Sequence, residues 1–121
     1  MRDLQKIYDY VDAHAQEYIE LLQKFCRQPS ISAQNIGMRE MVDLILEELS
    51  SLGVSVDVVE TSGNPIIYGE LEGVNKDRTL SFYNHYDVQP PEPLEEWKSD
   101  PFAAEIRDGK IYARGATDNK G

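Results

Sequence analysis

The sequence is poor in cysteine, in positive charge and in long apolar runs, and each shortage argues against a class of protein. Its 121 residues include one cysteine, which cannot form an internal disulfide, and 12 lysines and arginines against 22 aspartates and glutamates. The resulting formal charge of −10 argues against nucleic acid or an anionic membrane surface as a partner. No run of about 18 apolar residues is present to span a bilayer. We therefore expect a soluble globular protein.

Several familiar motifs are missing as well. Residues 1–6 are charged and lack the apolar segment of a signal peptide, which together with the single cysteine favours a cytoplasmic location. The sequence has no internal repeat, no phosphate-binding Walker loop and no Gly-x-Ser-x-Gly nucleophile motif. Cys26 lies among apolar residues of a helical pattern, and we interpret it as a small core residue rather than a reactive thiol.

The apolar pattern predicts an α/β fold with a mixed sheet flanked by helices. Steps of three and four predict one long helix over residues 4–25, and a second over residues 38–52 that Gly53 ends. Asp108 and Gly109 can adopt the positive φ of a two-residue turn, so they predict a hairpin. The predicted strands are residues 54–59, 66–71, 79–83, 104–107 and 110–113.

The residues that can carry chemistry follow two of these predicted strands. His85 and Asp87 come directly after residues 79–83, and Asp118 follows the hairpin. An extended backbone places alternate residues on one side, so the carboxylate of Asp87 lies beside the imidazole of His85. A ligating imidazole usually gives its other ring proton to such a carboxylate. Because ligands collect at the carboxyl ends of strands in open α/β sheets, we expect Asp118 to meet this pair.

This set of one imidazole and two carboxylates is compatible with zinc, although manganese or cobalt would accept the same ligands. A carboxylate such as that of Asp118 can bind two metals about 3.5 to 4 Å apart. A second interpretation stays open, because His85 and Asp87 also fit a hydrogen-bonded structural pair in a metal-free α/β binding domain.

Longer stretches of the sequence resemble a known family. They are residues 84–90 (Asn-His-Tyr-Asp-Val-Gln-Pro), Trp97 with residues 100–102, and residues 108–121 (Asp-Gly-Lys-Ile-Tyr-Ala-Arg-Gly-Ala-Thr-Asp-Asn-Lys-Gly). They resemble the dinuclear zinc metallopeptidases that include aminoacylase, glutamate carboxypeptidase, succinyl-diaminopimelate desuccinylase and carnosine-type dipeptidases. The dipeptidase branch is the most similar.

The resemblance implies a zinc-exopeptidase-like catalytic domain and a role for each candidate residue. By it, His85 is a ligand of one of two zinc ions, Asp87 is the catalytic-site carboxylate that orients it, and Asp118 bridges both metals. The peptide between Asp118 and Asn119 is often cis in such proteins. The substrate would be a short peptide or an N-acyl amino acid, and the full-length protein could form a homodimer.

The family pattern is incomplete in this sequence. Only two of the five expected metal-binding side chains are present, and the general base is missing. We therefore interpret residues 1–121 as the N-terminal portion of the catalytic domain, without the lid or dimerisation domain and the C-terminal half. The parent protein would be the active hydrolase and this chain alone inactive. The alternative is a non-catalytic relic or interaction module, with His85 and Asp87 as a structural pair.

Overall fold

The structure, a computed structural model, describes residues 4–121. The combination of helices and strands agrees with the predicted α/β class. The helices are α1 (Gln5–Ala13), α2 (Ala15–Arg27) and α3 (Met38–Ser51), and the strands are β1 (Ser55–Val59), β2 (Ile66–Glu70), β3 (Glu105–Arg107) and β4 (Lys110–Tyr112). By length and hydropathy, none of the helices within residues 4–121 could span a bilayer.

The single helix predicted over residues 4–25 is wrong, because the chain leaves helical geometry at His14, where φ is −109° and ψ is 7°. Nδ1 of His14 lies 2.7 Å from the carbonyl oxygen of Tyr10, and the two rings stack with their centroids 3.9 Å apart. The backbone N–H of His14 also donates to the carbonyls of Tyr10 and Val11, at 3.1 and 3.2 Å, so the last turn of α1 tightens before α2 begins. The apolar periodicity of α1 and α2 is continuous across this break, so periodicity did not reveal it.

Helix α3 forms where the sequence predicted it. Gly37 precedes it with φ at 69°, and Gly53 follows it with φ at 76°. Its apolar face is buried through Met38, Met41 and Val42. Since α3 packs against β1, this face contributes directly to the core.

Strands β1 and β2 form an antiparallel pair in which Asp57 lies opposite Tyr68. At the end of β1, both terminal nitrogens of Arg39 on α3 bind the two carboxylate oxygens of Glu60 at 2.6 Å. This pair connects the beginning of α3 to the segment that follows β1. The predicted strand bounds of residues 54–59 and 66–71 each differ from the observed ones by one residue.

The strand predicted over residues 79–83 is not formed. Leu80, Phe82 and Tyr83 are 79%, 81% and 86% exposed. A strand is held by backbone hydrogen bonds to a neighbour, and in the described part of the chain β1 pairs with β2 and β3 with β4, leaving none for this segment. The strands therefore form two separate antiparallel pairs rather than one mixed sheet.

The predicted hairpin is confirmed. Strands β3 and β4 pair antiparallel, with Ile106 opposite Ile111. Both residues of the turn have positive φ, 50° at Asp108 and 72° at Gly109, as a two-residue turn of this kind requires.

The core joins side chains from α2, α3 and three loops. Cys26 is fully buried, as predicted, and burial raises the pKa of its thiol. A raised pKa keeps the thiol protonated, which agrees with a packing role. Buried hydrophobic side chains among residues 4–121 include Cys26, Ile31, Met38, Met41, Val42, Val88 and Ala104.

Candidate active site

His85 lies between two carboxylates. Its Nδ1 is 3.0 Å from Oδ1 of Asp87, and its Nε2 is 2.8 Å from Oδ1 of Asp118. The side chains of His85 and Asp87 are 38% and 39% exposed, whereas that of Asp118 is 77% exposed. Asp87 thus faces the protein side of the ring, and Asp118 faces its solvent side.

These contacts change the protonation of the ring. Desolvation lowers the pKa of His85, but the hydrogen bonds to Asp118 and Asp87 outweigh it, so the pKa lies above its usual value. A neutral imidazole has one N–H and can donate to only one of the two carboxylates, while the imidazolium can donate to both. Nε2 of His85 and the Asp118 carboxylate therefore face each other and, at 2.8 Å, are close enough to share a proton.

A loop that follows α2 holds the segment that carries His85 and Asp87. The hydroxyl of Ser30 donates to the carbonyl of Tyr86 at 2.6 Å, and the backbone N–H of Val88 donates to the carbonyl of Ser30 at 2.8 Å. The hydroxyl of Ser32 donates to Oδ2 of Asp87 at 2.5 Å. Each of residues 86–88 is therefore hydrogen-bonded to Ser30 or Ser32. These bonds fix the backbone next to His85.

Lys120, two residues after Asp118, holds the loop of Asp118 against the end of α2. Nζ of Lys120 donates to the carbonyls of Phe25 and Gln28 at 3.0 and 2.7 Å, just where α2 ends. Burial of this side chain lowers the pKa of Lys120 to about 8. The peptide between Asp118 and Asn119 is cis, as the resemblance implied.

Gly115 lets this loop fold closely on itself. Its φ is 85°, and a Cβ atom there would lie 2.9 Å from Cδ of Lys120 and 3.1 Å from Cγ1 of Val88. The backbone N–H of Lys120 also donates to the carbonyl of Gly115 at 2.9 Å. The glycine thus gives Lys120 room to reach α2, which places the loop of Asp118 beside His85.

The proline-rich loop next to the site, residues 89–98, is anchored at Trp97, whose Nε1 donates to the carbonyl of Pro91 at 2.8 Å. The guanidinium of Arg114 lies 5.1 Å from the centre of the Trp97 ring and donates to the carbonyl of Pro90. Arg114 is therefore occupied in fixing this loop. An open depression of about 190 Å³ lies between Gln89 and Asp118.

The donor atoms fit part of a zinc site. Nε2 of His85 and a carboxylate oxygen of Asp118 are the nitrogen and oxygen donors that zinc accepts, and Asp87 bonds the other ring nitrogen. Catalytic zinc sites use three protein ligands, and among residues 4–121 no group of three or more His, Cys, Asp or Glu side chains could hold a metal ion. The described chain supplies two donors for such a site.

The three residues predicted from the sequence thus lie together, while their roles as metal ligands and catalytic group stay predictions. Sequence reasoning missed Ser32 and Lys120. Ser32 belongs to a Gln-Pro-Ser-Ile-Ser stretch that reads only as a loop, and its partner lies 55 residues away. The bonds of Lys120 to Phe25 and Gln28 span more than 90 residues, so no local signal could have shown them.

Comparison with known proteins gives a consistent result. Residues 81–121 match the profile described as Peptidase family M20/M25/M40. Over 98% of its length the chain is 34% identical to the Beta-Ala-His dipeptidase of Rattus norvegicus, of which it spans 27%. The structure is similar to an M20 family metallo-carboxypeptidase from Sulfolobus solfataricus, with 47% identity and a TM-score of 0.77 over 82% of this chain and 23% of that one.

Human carnosine dipeptidase 1 is also similar, with 32% identity and a TM-score of 0.83 over 97% of this chain and 28% of that one. The chain thus spans about a quarter of the length of these relatives. The α/β fold and the resemblance predicted from the sequence are both confirmed. Residues 81–121, which contain His85, Asp87 and Asp118, match Peptidase family M20/M25/M40, in a chain whose fold is similar to that of these relatives.

Proposed function

We propose that the full-length protein is a zinc-dependent dipeptidase-like hydrolase that cleaves the peptide or amide bond of short peptides or N-acyl amino acids. One observation carries this proposal: each ring nitrogen of His85 faces a carboxylate, Asp87 on one side and Asp118 on the other. The names of the relatives, dipeptidases and a metallo-carboxypeptidase, support the same class of reaction.

In this proposal His85, through Nε2, and Asp118 would hold zinc, and Asp118 would be the carboxylate available to a second ion. Asp87 accepts a hydrogen bond from Nδ1–H, which fixes the ring and makes Nε2 a better donor to a metal. Zinc bound there would supply Lewis-acid polarisation of the substrate carbonyl, and manganese or cobalt could replace it. The depression between Gln89 and Asp118 is open to solvent on the same side and can admit a small substrate.

The activity is proposed for the full-length protein rather than for these 121 residues. Two donors make a weak site, since zinc in catalytic sites has three protein ligands. No general base is assigned among the described residues. We therefore propose that residues 1–121 are the N-terminal portion of the catalytic domain, and that this chain alone turns over little or no substrate.

The charge of −10 supports a protein that binds neither nucleic acid nor an anionic membrane. We further propose a cytoplasmic location and, for the full-length protein, a homodimer.

Hydrolysis by the purified full-length protein tests the proposed function. It would be assayed against a panel of dipeptides and N-acyl amino acids, then after treatment with a chelator and after zinc is added back. We expect hydrolysis to stop on chelation and to return with zinc. Zinc-loaded, folded protein that cleaves no compound of the panel would contradict the proposal.

A non-catalytic interaction module is the second candidate. Two observations favour it: the described residues provide only two donors, and the apolar side chains of residues 79–83 are exposed. In that case His85 and Asp87 would be a structural pair. The same assay separates the candidates, because a module would remain folded and inactive whether or not zinc is present.

A further inference from the structure

The two oxygens of the Asp87 carboxylate have different partners. Oδ1 is 3.0 Å from Nδ1 of His85, and Oδ2 accepts a hydrogen bond from the hydroxyl of Ser32 at 2.5 Å. A carboxylate held at one oxygen can rotate about the bond to Cβ, whereas one held at both has a fixed plane. Nδ1 of His85 also lies 3.1 Å from the backbone carbonyl of Asp87. The bond from Ser32 therefore helps to fix the plane of the carboxylate, so that Oδ1 stays beside Nδ1.

The backbone that carries Ser32 is itself fixed. Ile31 and Ile36 exchange two backbone hydrogen bonds, of 2.8 and 3.1 Å, which close residues 31–36 into a tight loop. Ile31 is 3% exposed and Ser30 is fully buried. Ser32 therefore stands next to two anchored residues, and its hydroxyl can hold Asp87 without losing much conformational freedom of its own.

The chemistry of a serine suits this position. A lysine or arginine would also bind the carboxylate, but its positive charge would repel a cation held by His85 and Asp118. A hydroxyl donates a hydrogen bond without that charge. The carboxylate of Asp87 thus keeps its negative charge, and Oδ1 stays available to accept a hydrogen bond from Nδ1 of His85.

We propose that Ser32 is a positioning residue of the candidate active site: its hydroxyl orients the Asp87 carboxylate, which in turn orients the imidazole of His85 towards Asp118. This inference rests on the proposed function of the site as a zinc centre. Ser32 acts through Asp87 and touches neither zinc nor substrate.

Substitution of Ser32 in the full-length protein tests this role. For Ser32→Ala we expect zinc affinity, measured by competition with a chromogenic chelator, to fall about 10-fold, and kcat to fall by a similar factor with KM within about twofold. Ser32→Thr keeps the hydroxyl and should restore both. Ser51→Ala is the matched control, since that hydroxyl donates to the backbone of its own helix, to the carbonyl of Glu48.

A double-mutant cycle separates positioning from general damage. If Ser32 acts through Asp87, Ser32→Ala should cost little further zinc affinity in an Asp87→Ala protein. An undiminished 10-fold loss in that background, or a folded Ser32→Thr protein as impaired as Ser32→Ala, would overturn the proposal. Wild-type zinc affinity in Ser32→Ala would do so too. If the wild-type protein hydrolyses nothing, the proposed function fails, but the zinc-affinity cycle still decides the role of Ser32.

Discussion

At the scale of single residues, Lys120 joins the loop of Asp118 to the end of α2. Its ammonium donates to the carbonyls of Phe25 and Gln28, and the negative end of the helix dipole favours a cation there. Lys120→Ala leaves both carbonyls without this donor. We expect the free energy of unfolding of the full-length protein, measured by urea denaturation, to fall by about 1–3 kcal/mol.

A lysine outside this contact provides the control for that loss. Lys98 is exposed in the proline-rich loop, and Lys98→Ala is expected to change the free energy of unfolding by less than about 0.5 kcal/mol. Equal losses in the two variants would show that the bonds of Lys120 do not stabilise the fold.

Single residues were predictable where the deciding geometry is local. His85 and Asp87 lie two positions apart on one stretch of backbone, so their contact followed from the spacing alone. The meeting of Asp118 with His85 was also predicted, but from strand ends in an open sheet. Residues 79–83 form no strand, and the loop after α2 brings the two residues together instead. Ser32 and Asp87 are 55 residues apart in the sequence. They meet only because the loop after α2 packs against residues 86–88, and residue spacing does not predict such packing.

At the scale of elements, a glycine with positive φ lies at each end of α3, and the two differ in how much free space surrounds them. A Cβ atom at Gly37 would lie 2.0 Å from the carbonyl oxygen of Pro29, whereas at Gly53 it would meet nothing within 4 Å. Gly53→Ala should therefore cost about 1–2 kcal/mol of unfolding free energy for the strained φ alone. Gly37→Ala should cost clearly more, because Pro29 must also move.

Denaturation of the two alanine variants side by side measures this difference. Both glycines have similar φ, 69° and 76°, so the excess loss at Gly37 isolates the contact with Pro29. Equal unfolding free energies of the two variants would mean that Pro29 and its loop move away from the new Cβ atom without a loss of stability.

The ion pair that connects α3 to the end of β1 predicts a dependence of stability on pH. The hydrogen bonds from Arg39, reinforced by its charge, lower the pKa of Glu60 below its usual 4.5. The unfolded chain then binds a proton at Glu60 before the folded chain does, so the stabilisation is present at neutral pH and is lost as the pH falls below about 4.5. Glu60→Gln should flatten this acid limb of the stability curve.

Urea denaturation at a series of acidic pH values would measure that effect. Arg39→Gln removes the partner cation and should flatten the curve in the same way, which makes it the companion variant. A Glu60→Gln protein with the wild-type dependence on pH would contradict the assignment.

Elements were predictable where their signals are local. Asp108 and Gly109 determine the hairpin of β3 and β4, and glycines mark both ends of α3. The segment at residues 79–83 has the β-branched and aromatic composition of a strand, but a strand exists only when another strand pairs with it. The composition of a segment shows its tendency to form a strand. It does not show whether another strand lies beside it to pair with.

At the scale of the whole molecule, three segments far apart in sequence meet at one place. Residues 30–32 bond residues 86–88, and Lys120 bonds the carbonyl of Gln28 just before that loop. The loop after α2 thus connects the segment of His85 with the segment of Asp118. This connection gives the site its geometry, although each segment lies in irregular structure.

The most direct test of the account compares zinc-dependent dipeptide hydrolysis by the wild-type full-length protein with that of His85→Ala and Asp118→Ala. Asp12→Ala, in the exposed part of α1, is the control for loss of a carboxylate. We predict that the first two variants remain folded and lose hydrolysis, while Asp12→Ala keeps it. Turnover near the wild-type rate by His85→Ala or Asp118→Ala would contradict the central claim that these two side chains hold the zinc.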